Sequence, residues 1–534
     1  MSLTELGTQI GRVESIQQSA NYINDPLVAF QHLCADSAHS MLLESAEIES
    51  KDNLKSLVLV DAALRIECNG QTVNCYALTT NGNHLLDVIA SHCPDGIACE
   101  PQDNGLQLKC HADATTSDED ARLKLPSVFD ALRLILDNIQ AIRETPHAVF
   151  LGGAFAYDLL ATFEQLQSVK ESENSCPDYV FYVAETLLLI DHQTRTTDII
   201  GSVFSGPQVA NIYLGVSQRV ETLKAAIANL PDVLPALAPL NAHPPISEDN
   251  SDQQFITDVI DLKEHILAGD IFQVVPSRTF SLPCPSPIHA YAQLRTQNPS
   301  PYMFYLKDAE FCMFGASPES ALKYSADTNI VEIYPIAGTR PRGKRPSGQL
   351  DPDLDSRIEL DLREDTKEKS EHMMLVDLAR NDVARVSKPG TRYVKDLLKV
   401  DRYSHVMHLV SRVIGELRED LDALHAYQAC MNMGTLVGAP KVSAARLIRG
   451  VEKQRRGSYG GAVGYLNGEG DMDSCIVIRS AFVKQGTAYI QAGAGVVYDS
   501  DPQAEADETR SKAQAVISAI QSSYLGYTGT GEPS

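Results

Sequence analysis

At 534 residues the chain can bury large cores, and its length alone allows roughly two to four domains. A formal charge of −25 at pH 7 argues against a nucleic-acid surface or an anionic membrane as partner. Any anionic ligand therefore needs local positive potential from arginine, lysine, backbone N–H groups or a metal.

The N-terminal residues lack the basic region and apolar run of a signal peptide, and no apolar stretch reaches the roughly 18 residues of a membrane helix. The eleven cysteines form no C-x-x-C pair and no metal-ligand spacing. Together these features predict reduced thiols and a cytoplasmic protein. Residues 1–50 carry short helical patterns and include Leu42-Leu43-Glu44-Ser45. Two β-rich runs, SLVLVDAALRIEC and TVNCYALT, flank Asn69-Gly70, a hairpin signal. The spacing of Val128, Ala131, Leu132 and Ile135 predicts a helix over 126–143, followed by a buried strand, AVFLGGAFAYDL. Two more strands are predicted within 179–203 and a helix over 207–230. The text then turns proline-rich between about 230 and 250, which marks a domain boundary: 1–250, then 251–524, then a loose polar tail at 525–534. The second domain opens with an amphipathic helix over 253–268 and closes with a β meander over 460–498 and a helix over 502–523. Gly152-Gly153-Ala154-Phe155-Ala156-Tyr157 is echoed by Gly460-Gly461-Ala462-Val463-Gly464-Tyr465, either a remnant of duplication or a coincidence.

Chemistry concentrates in the second half. In the predicted helix over 368–382, Glu368 and Glu371 lie at i,i+3 in line with Leu375 and Leu378. Glu505 and Glu508 repeat the pattern behind an Asp501-Pro502 helix start. Paired hard carboxylates on two helices suit Mg²⁺; the alternative is two solvated faces, with Glu508 merely bonding Lys512 at i,i+4. Gly493, Ala494 and Gly495 offer a backbone that can approach a carboxylate closely. In Cys475-Ile476-Val477-Ile478-Arg479, strand parity puts a guanidinium on one face of an apolar strand, as a carboxylate clamp or a snorkelling surface arginine. Tyr459 opens Tyr-Gly-Gly and can bring a hydroxyl to the same place.

Further segments fall in a telling order. GDIFQVVPSR, FGASPES, PIAGTRPRG, SEHMMLVDLARND, GAPK, RRGSYGGAVGY, IVIRSA and QAGAGVVYDSDPQAEADET succeed one another as in the chorismate-utilising enzymes, and the chain resembles their family of anthranilate synthase large subunits. The resemblance implies an α+β fold of large antiparallel β-sheets packed face to face with helices outside, an α/β/β/α sandwich, with a regulatory first domain and a chorismate-binding second one. It implies Mg²⁺ at Glu371 and Glu508, completed or oriented by Glu368 and Glu505. Glu319 would act as general acid at the C4 hydroxyl, and His408 would assist loss of pyruvate, with Gln273 and Thr339 also at the reacting centre. Gly338, Thr339, Tyr459, Arg479, Gly493, Ala494, Gly495 and Lys512 would bind substrate. A tryptophan pocket would draw on Glu44, Ser45, Lys55, Pro301, Tyr302, Met303 and Cys475. Water-adding relatives carry a lysine where this chain has Gln273, and aminodeoxychorismate synthases one where it has Ala337; both lack an amine here, which points to ammonia as nucleophile. No cysteine sits in a G-x-C-x-G elbow, so a separate glutamine amidotransferase, component II, is implied, in a heterotetramer of two large and two small subunits. The competing readings are an aminodeoxychorismate synthase component I and a non-catalytic, metal-stabilised regulatory protein.

Overall fold

Alternation of apolar side chains builds the sheets. In the strand Lys55–Asn69, Leu57 and Leu59 enter one buried cluster while Val58 and Val60 enter another, so both faces of the strand are covered. The computed structural model describes residues 3–45, 54–110, 118–239, 244–345, 347–403 and 406–524. Among these, twenty-three strands are linked by ladder pairing into one network, and a two-stranded sheet joins Gln273–Val274 to Gly438–Ala439. The one parallel ladder among the described residues pairs Arg12–Val13 with Gln140–Ala141.

Three apolar clusters define the layers. Met41, Leu59, Phe150, Tyr182, Phe304 and Val463 belong to the one contributed almost wholly by strands, where sheet meets sheet. A second cluster seats the helices Val209–Ile227, Pro287–Gln297 and Pro502–Tyr524 on an outer face. A third seats Thr80–His92, Asp130–Asn138, Thr366–Val386 and Ala423–Cys430 on the other. The chain is thus α+β, with large antiparallel sheets face to face and helices outside.

Strands before residue 250 and after it share ladders. Ser40–Glu44 pairs with Tyr302–Lys307, Met303 lying opposite Glu44. Phe150–Phe155 pairs with Ala462–Asn467, Gly153 opposite Gly464. The two Gly-Gly echoes are therefore antiparallel neighbours, and their small residues serve a close approach. A Cβ on Gly153 would stand 2.1 Å from the Val180 carbonyl oxygen, and one on Gly464 2.1 Å from that of Asp473.

Three sequence expectations are corrected. The helix expected over 126–143 covers only Asp130–Asn138, because the Ser127 N–H donates to Asp130 Oδ2 (2.6 Å) in a turn and Gln140–Ala141 leaves to pair as a strand. The proline-rich connection packs in part: Leu234 is buried, Pro235 O accepts from His289 Nε2 (2.8 Å), and Ser247–Glu248 joins a strand. The meander over 460–498 is two hairpins, Ala462–Asn467 with Met472–Ile476 and Ser480–Lys484 with Thr487–Gly493, which do not pair with each other. Residues 525–534 lie outside the described residues.

Replacing Gly153 with Ala forces a methyl into backbone that cannot yield. The expected cost is about 1–3 kcal/mol of stability. Equilibrium urea unfolding measures it, and Gly70→Ala, where a Cβ meets nothing within 4 Å, separates this clash from the strain of positive φ.

Candidate active site

The break between those hairpins makes the site. Cys312–Ser317 pairs with Ser480–Lys484, and Ser320–Ser325 pairs with Met472–Ile476. Both partners leave the ladder at one level, at 318–319 and at 477–479. Two backbone bonds hold the gap: Ile476 N–H to Glu319 O (3.0 Å) and Ala316 N–H to Arg479 O (3.1 Å). Arg479 is therefore not a strand residue, as parity suggested. It sits at the break with φ +48°, and its guanidinium makes no hydrogen bond among the described residues.

Glu319 is buried, and burial pushes its carboxyl up to about 8. The rise is opposed by the Thr435 hydroxyl, the Ile336 N–H and the charges of Arg479 and Lys512. Glu319 is thus mostly protonated at neutral pH. Opposite lies His408, on Val406–Glu416, with Nδ1 2.9 Å from Thr339 Oγ1. Burial first, then the charge of Arg479, pushes the imidazole down to about 3, so it is neutral. Thr339 and His408 face each other in the ladder beyond a bulge holding Gly338 at φ +82°. A Cβ on Gly338 would lie 3.1 Å from Glu368 Oε2, which ties this turn to the glutamate helix.

The floor is organised by a buried ion pair. Arg456 binds Glu452 (2.6 Å), the carbonyls of Leu436 (2.8 Å) and Val275 (2.6 Å), and lies over the rings of Tyr157 and Tyr459. Glu452 also accepts from the Ser277 N–H and Oγ, both at 2.8 Å. Tyr459 is buried, with its hydroxyl 2.9 Å from where a Cβ on Gly493 would be. Gln273 lies against Gly495, and its buried Oε1 has no hydrogen-bond partner. Lys512 Nζ donates to Gly493 O (3.0 Å). The Ala494 N–H is committed to Pro276 O (3.1 Å), so that amide belongs to the scaffold.

The four glutamates come from Thr366–Val386, capped by Asp365, and Pro502–Tyr524, whose Ala504 N–H donates to Asp501 Oδ1 (2.9 Å). Glu371 is raised by burial and, after the Lys367 charge that opposes it, by Glu368, Glu508 and Glu505 across the gap. Glu505 is also raised, chiefly by burial, and its Oε2 is buried without a partner. Crowded carboxylates of this kind fit a hard divalent cation. Among the described residues no three ligating groups already converge. Lys512 holds Glu508 at 2.7 Å, and Arg340 holds Glu368 at 2.8 Å and Asp365 at 2.7 Å, so binding has to displace these contacts. The i,i+4 pair of Glu508 with Lys512, expected if the helix face were simply solvated, is present.

The residues expected around tryptophan divide between two sheet faces. Tyr302 and Cys475 lie at the inter-sheet cluster, and Lys55 shares strand parity with Leu57 and Leu59 of that cluster. Met303 faces the opposite cluster. Glu44 is held by Tyr291 (2.7 Å) and Arg295 (3.0 Å), both on the outer helix Pro287–Gln297. Ser45 and Pro301 flank the Glu44–Met303 ladder. Sequence reasoning missed Thr435 and the part Arg340 plays; the arginine was visible in PIAGTRPRG, whereas nothing in MNMGTLV marks the threonine.

Comparison with known proteins agrees with this geometry. The profile of the family described as chorismate binding enzyme matches residues 97–518, and the chain belongs to that family. Anthranilate synthase component 1 of Vibrio parahaemolyticus is 59% identical over 520 residues, covering 97% of this chain and 94% of the relative. That of Escherichia coli K12 is 54% identical over 517 residues, covering 97% and 98%. Within the family the chain therefore falls among the anthranilate synthase component 1 proteins. The structure of component I from Streptococcus pneumoniae superimposes with a TM-score of 0.64 at 28% identity, covering 88% of this chain and 94% of that one. The menaquinone-specific isochorismate synthase of Escherichia coli, at 17% identity and a TM-score of 0.66 over 97% of both chains, shares the fold.

The raised carboxyl of Glu319 has a measurable consequence. Folded Glu319 titrates near about 8, against an ordinary 4.5, so the native state holds an extra proton between those values. Its contribution to stability falls as pH rises through that window and is level above it. Glu319→Gln removes the slope. Thermal melts from about pH 5 to about pH 9 should show the variant gaining on the parent by on the order of 3–5 kcal/mol. A gap that stays constant with pH would mean the carboxyl is not perturbed.

Proposed function

We infer that the chain is the large subunit of an anthranilate synthase, converting chorismate and ammonia to anthranilate, pyruvate and water. The observation that carries the mechanism is the pairing, in one sheet break, of a carboxyl kept protonated at neutral pH and a partly buried arginine without a hydrogen-bond partner among the described residues. Arg479, Tyr459 and the backbone at Gly493 and Gly495 take the carboxylates of chorismate, with Lys512 alongside, while Ala494 keeps that backbone in place. Gly338 and Thr339 line the ring. Glu319 gives its proton to the C4 hydroxyl, which leaves as water while ammonia bonds to C2. Gln273 is a neutral amide and cannot deprotonate water, but ammonia needs no such help. His408, with Nδ1 turned to Thr339, offers Nε2 to the ring proton whose loss aromatises the ring as pyruvate departs. Glu371 and Glu508, with Glu368 and Glu505 beside them, would hold Mg²⁺, which when bound offsets substrate charge and supplies Lewis acidity.

Several properties of the holoenzyme belong to the same proposal. Ammonia comes from glutamine through a separate component II subunit, in a heterotetramer of two large and two small subunits in the cytoplasm. No helix among the described residues is long and apolar enough to cross a membrane. Tryptophan inhibits by preferring an arrangement of the two sheet faces around Glu44, Ser45, Lys55, Pro301, Tyr302, Met303 and Cys475 that binds chorismate poorly; by linkage, chorismate weakens tryptophan by the same factor.

Two assays examine this. The purified chain with chorismate, ammonium and Mg²⁺ should produce fluorescent anthranilate, faster at alkaline pH where more NH₃ is free, and glutamine should support nothing until an amidotransferase is added. Glutamine-dependent turnover by the chain alone would refute the two-subunit reading. His408→Ala should slow anthranilate formation roughly 100-fold or more while an aminated, non-aromatic intermediate accumulates on chromatography. Equal loss of amination and elimination would make His408 structural.

A further inference from the structure

Beyond Glu319, the structure contains a row of buried polar atoms that the chemistry so far does not use. The Thr435 hydroxyl stands close enough to Glu319 to favour its ionised form, yet meets hydrogen-bond geometry with no described residue. Three residues earlier, Asn432 is 2% exposed; its Nδ2 donates to Tyr157 O (2.8 Å), and its Oδ1 has no partner. Four residues before that, Gln428, on the helix Ala423–Cys430, also has a buried Oε1 without a partner. Gln428 and Met431 line a surface cavity of about 80 Å³ whose rim carries Arg122, Glu164, Arg385 and Lys441. A buried oxygen without a donor costs about 1–3 kcal/mol, so three in succession need an account.

We propose that Thr435, Asn432 and Gln428 form a file of acceptors through which water and protons pass between Glu319 and that surface cavity. The proposal rests on Glu319 being the general acid. Water fits because the Asn and Gln oxygens only accept, and water donates to both. The reaction also calls for such a path. When the C4–O bond breaks, its electron pair leaves on oxygen with the proton from Glu319, so one water is released beside a buried carboxylate. The new C2–N bond forms with the ammonia lone pair, and the resulting ammonium sheds one proton on the other side of the ring. The overall reaction neither consumes nor yields a proton, yet Glu319 must regain one before the next turnover. Arg479 and Lys512 face Glu319 but, being cations, draw its proton off and do not restore it. At the mouth, Lys441 is engaged by Asp382 (2.6 Å) and Cys430 O (2.6 Å), and Arg385 by Glu119 and by Ala429 O (2.8 Å). Lys441 and Arg385 are thus fixed at the rim, Gln428 lines the cavity, and Thr435 stands beside Glu319.

Asn432→Leu and Gln428→Leu interrupt the file without touching substrate. With chorismate and ammonium saturating, each should lower kcat about tenfold, leave KM for chorismate within about twofold, and raise the solvent deuterium isotope effect on kcat. Acetic acid, small enough to carry a proton in, should restore the rate, and Asn432→Ser, which keeps an oxygen and admits a water, should stay near the parent. Gln428 is only partly buried, so its variant answers the question even where Asn432→Leu fails to fold. An unchanged kcat and isotope effect in Gln428→Leu overturns the proposal. So does a rise in KM for chorismate that matches the loss of kcat, which marks a structural defect, or a rise in KM for ammonium alone, which marks an ammonia route. Glu319→Gln assayed in parallel keeps the two readings apart: if that variant retains turnover, the acid assignment has failed; if it is dead and acetic acid does not revive it, the file is tested on its own.

Discussion

The site depends on a ladder that stops in both partners at the same level. An antiparallel pair normally continues its alternating backbone hydrogen bonds along its length. Here Cys312–Ser325 and Met472–Lys484 release each other for two or three residues, and the Ile476–Glu319 and Ala316–Arg479 backbone bonds bridge the opening. That gap lets a carboxyl and a guanidinium enter a region otherwise filled by apolar side chains. It also sets their electrostatics, since Glu319 is buried and Arg479 only partly exposed. Beneath the gap, Arg456 and Glu452 fix Val275, Leu436, Ser277 and the ring of Tyr459 in one network. Removing either partner leaves a buried charge alone, which costs about 3–5 kcal/mol in comparable pairs.

Burial acts on the two titrating groups of the site in opposite senses and to one end. It drives Glu319 up and His408 down, so both are neutral at working pH, one carrying a proton and the other able to take one. Because the same desolvation produces both shifts, a change that wets the break would ionise Glu319 and move His408 back toward its ordinary 6.5. Sealing of the sheet break and acid–base competence are in this sense one property.

Much of this was legible in the sequence. The i,i+3 glutamates, the Asp501-Pro502 helix start, the hairpin at Asn69-Gly70 and the glycines at 493–495 each carry a local rule, and each lies where that rule puts it. What stayed hidden depends on long-range pairing. Strand parity placed Arg479 on a strand face because nothing near it announces a break; the break is matched by the neighbouring segment of the same chain at 318–319. Glu44 gives no local sign of its partners either: the alternation that puts Leu43 inward turns it toward Tyr291 and Arg295, which lie 247 and 251 residues on. Thr435 gave no signal, since a threonine in an apolar run is an ordinary residue until its neighbour is known. The Gly-Gly echo was visible as repetition, but only the ladder explains why both copies are small.

That last pairing bears on how the chain is made. Phe150–Phe155 is apolar, buried on both faces, and bordered on one side by Tyr179–Asp191; its other neighbour, Ala462–Asn467, lies roughly 300 residues further on. At the ~5–20 residues per second of translation, that edge has no native partner for on the order of tens of seconds. During this interval an identical edge on a neighbouring nascent chain is the competing template. Gly152 and Gly153 are poor strand formers, and while they make the final approach possible they also weaken any premature pairing. The seam is thus among the late parts of the sheet network to close, and the rate at which the ribosome supplies the second echo sets how long the first stays exposed.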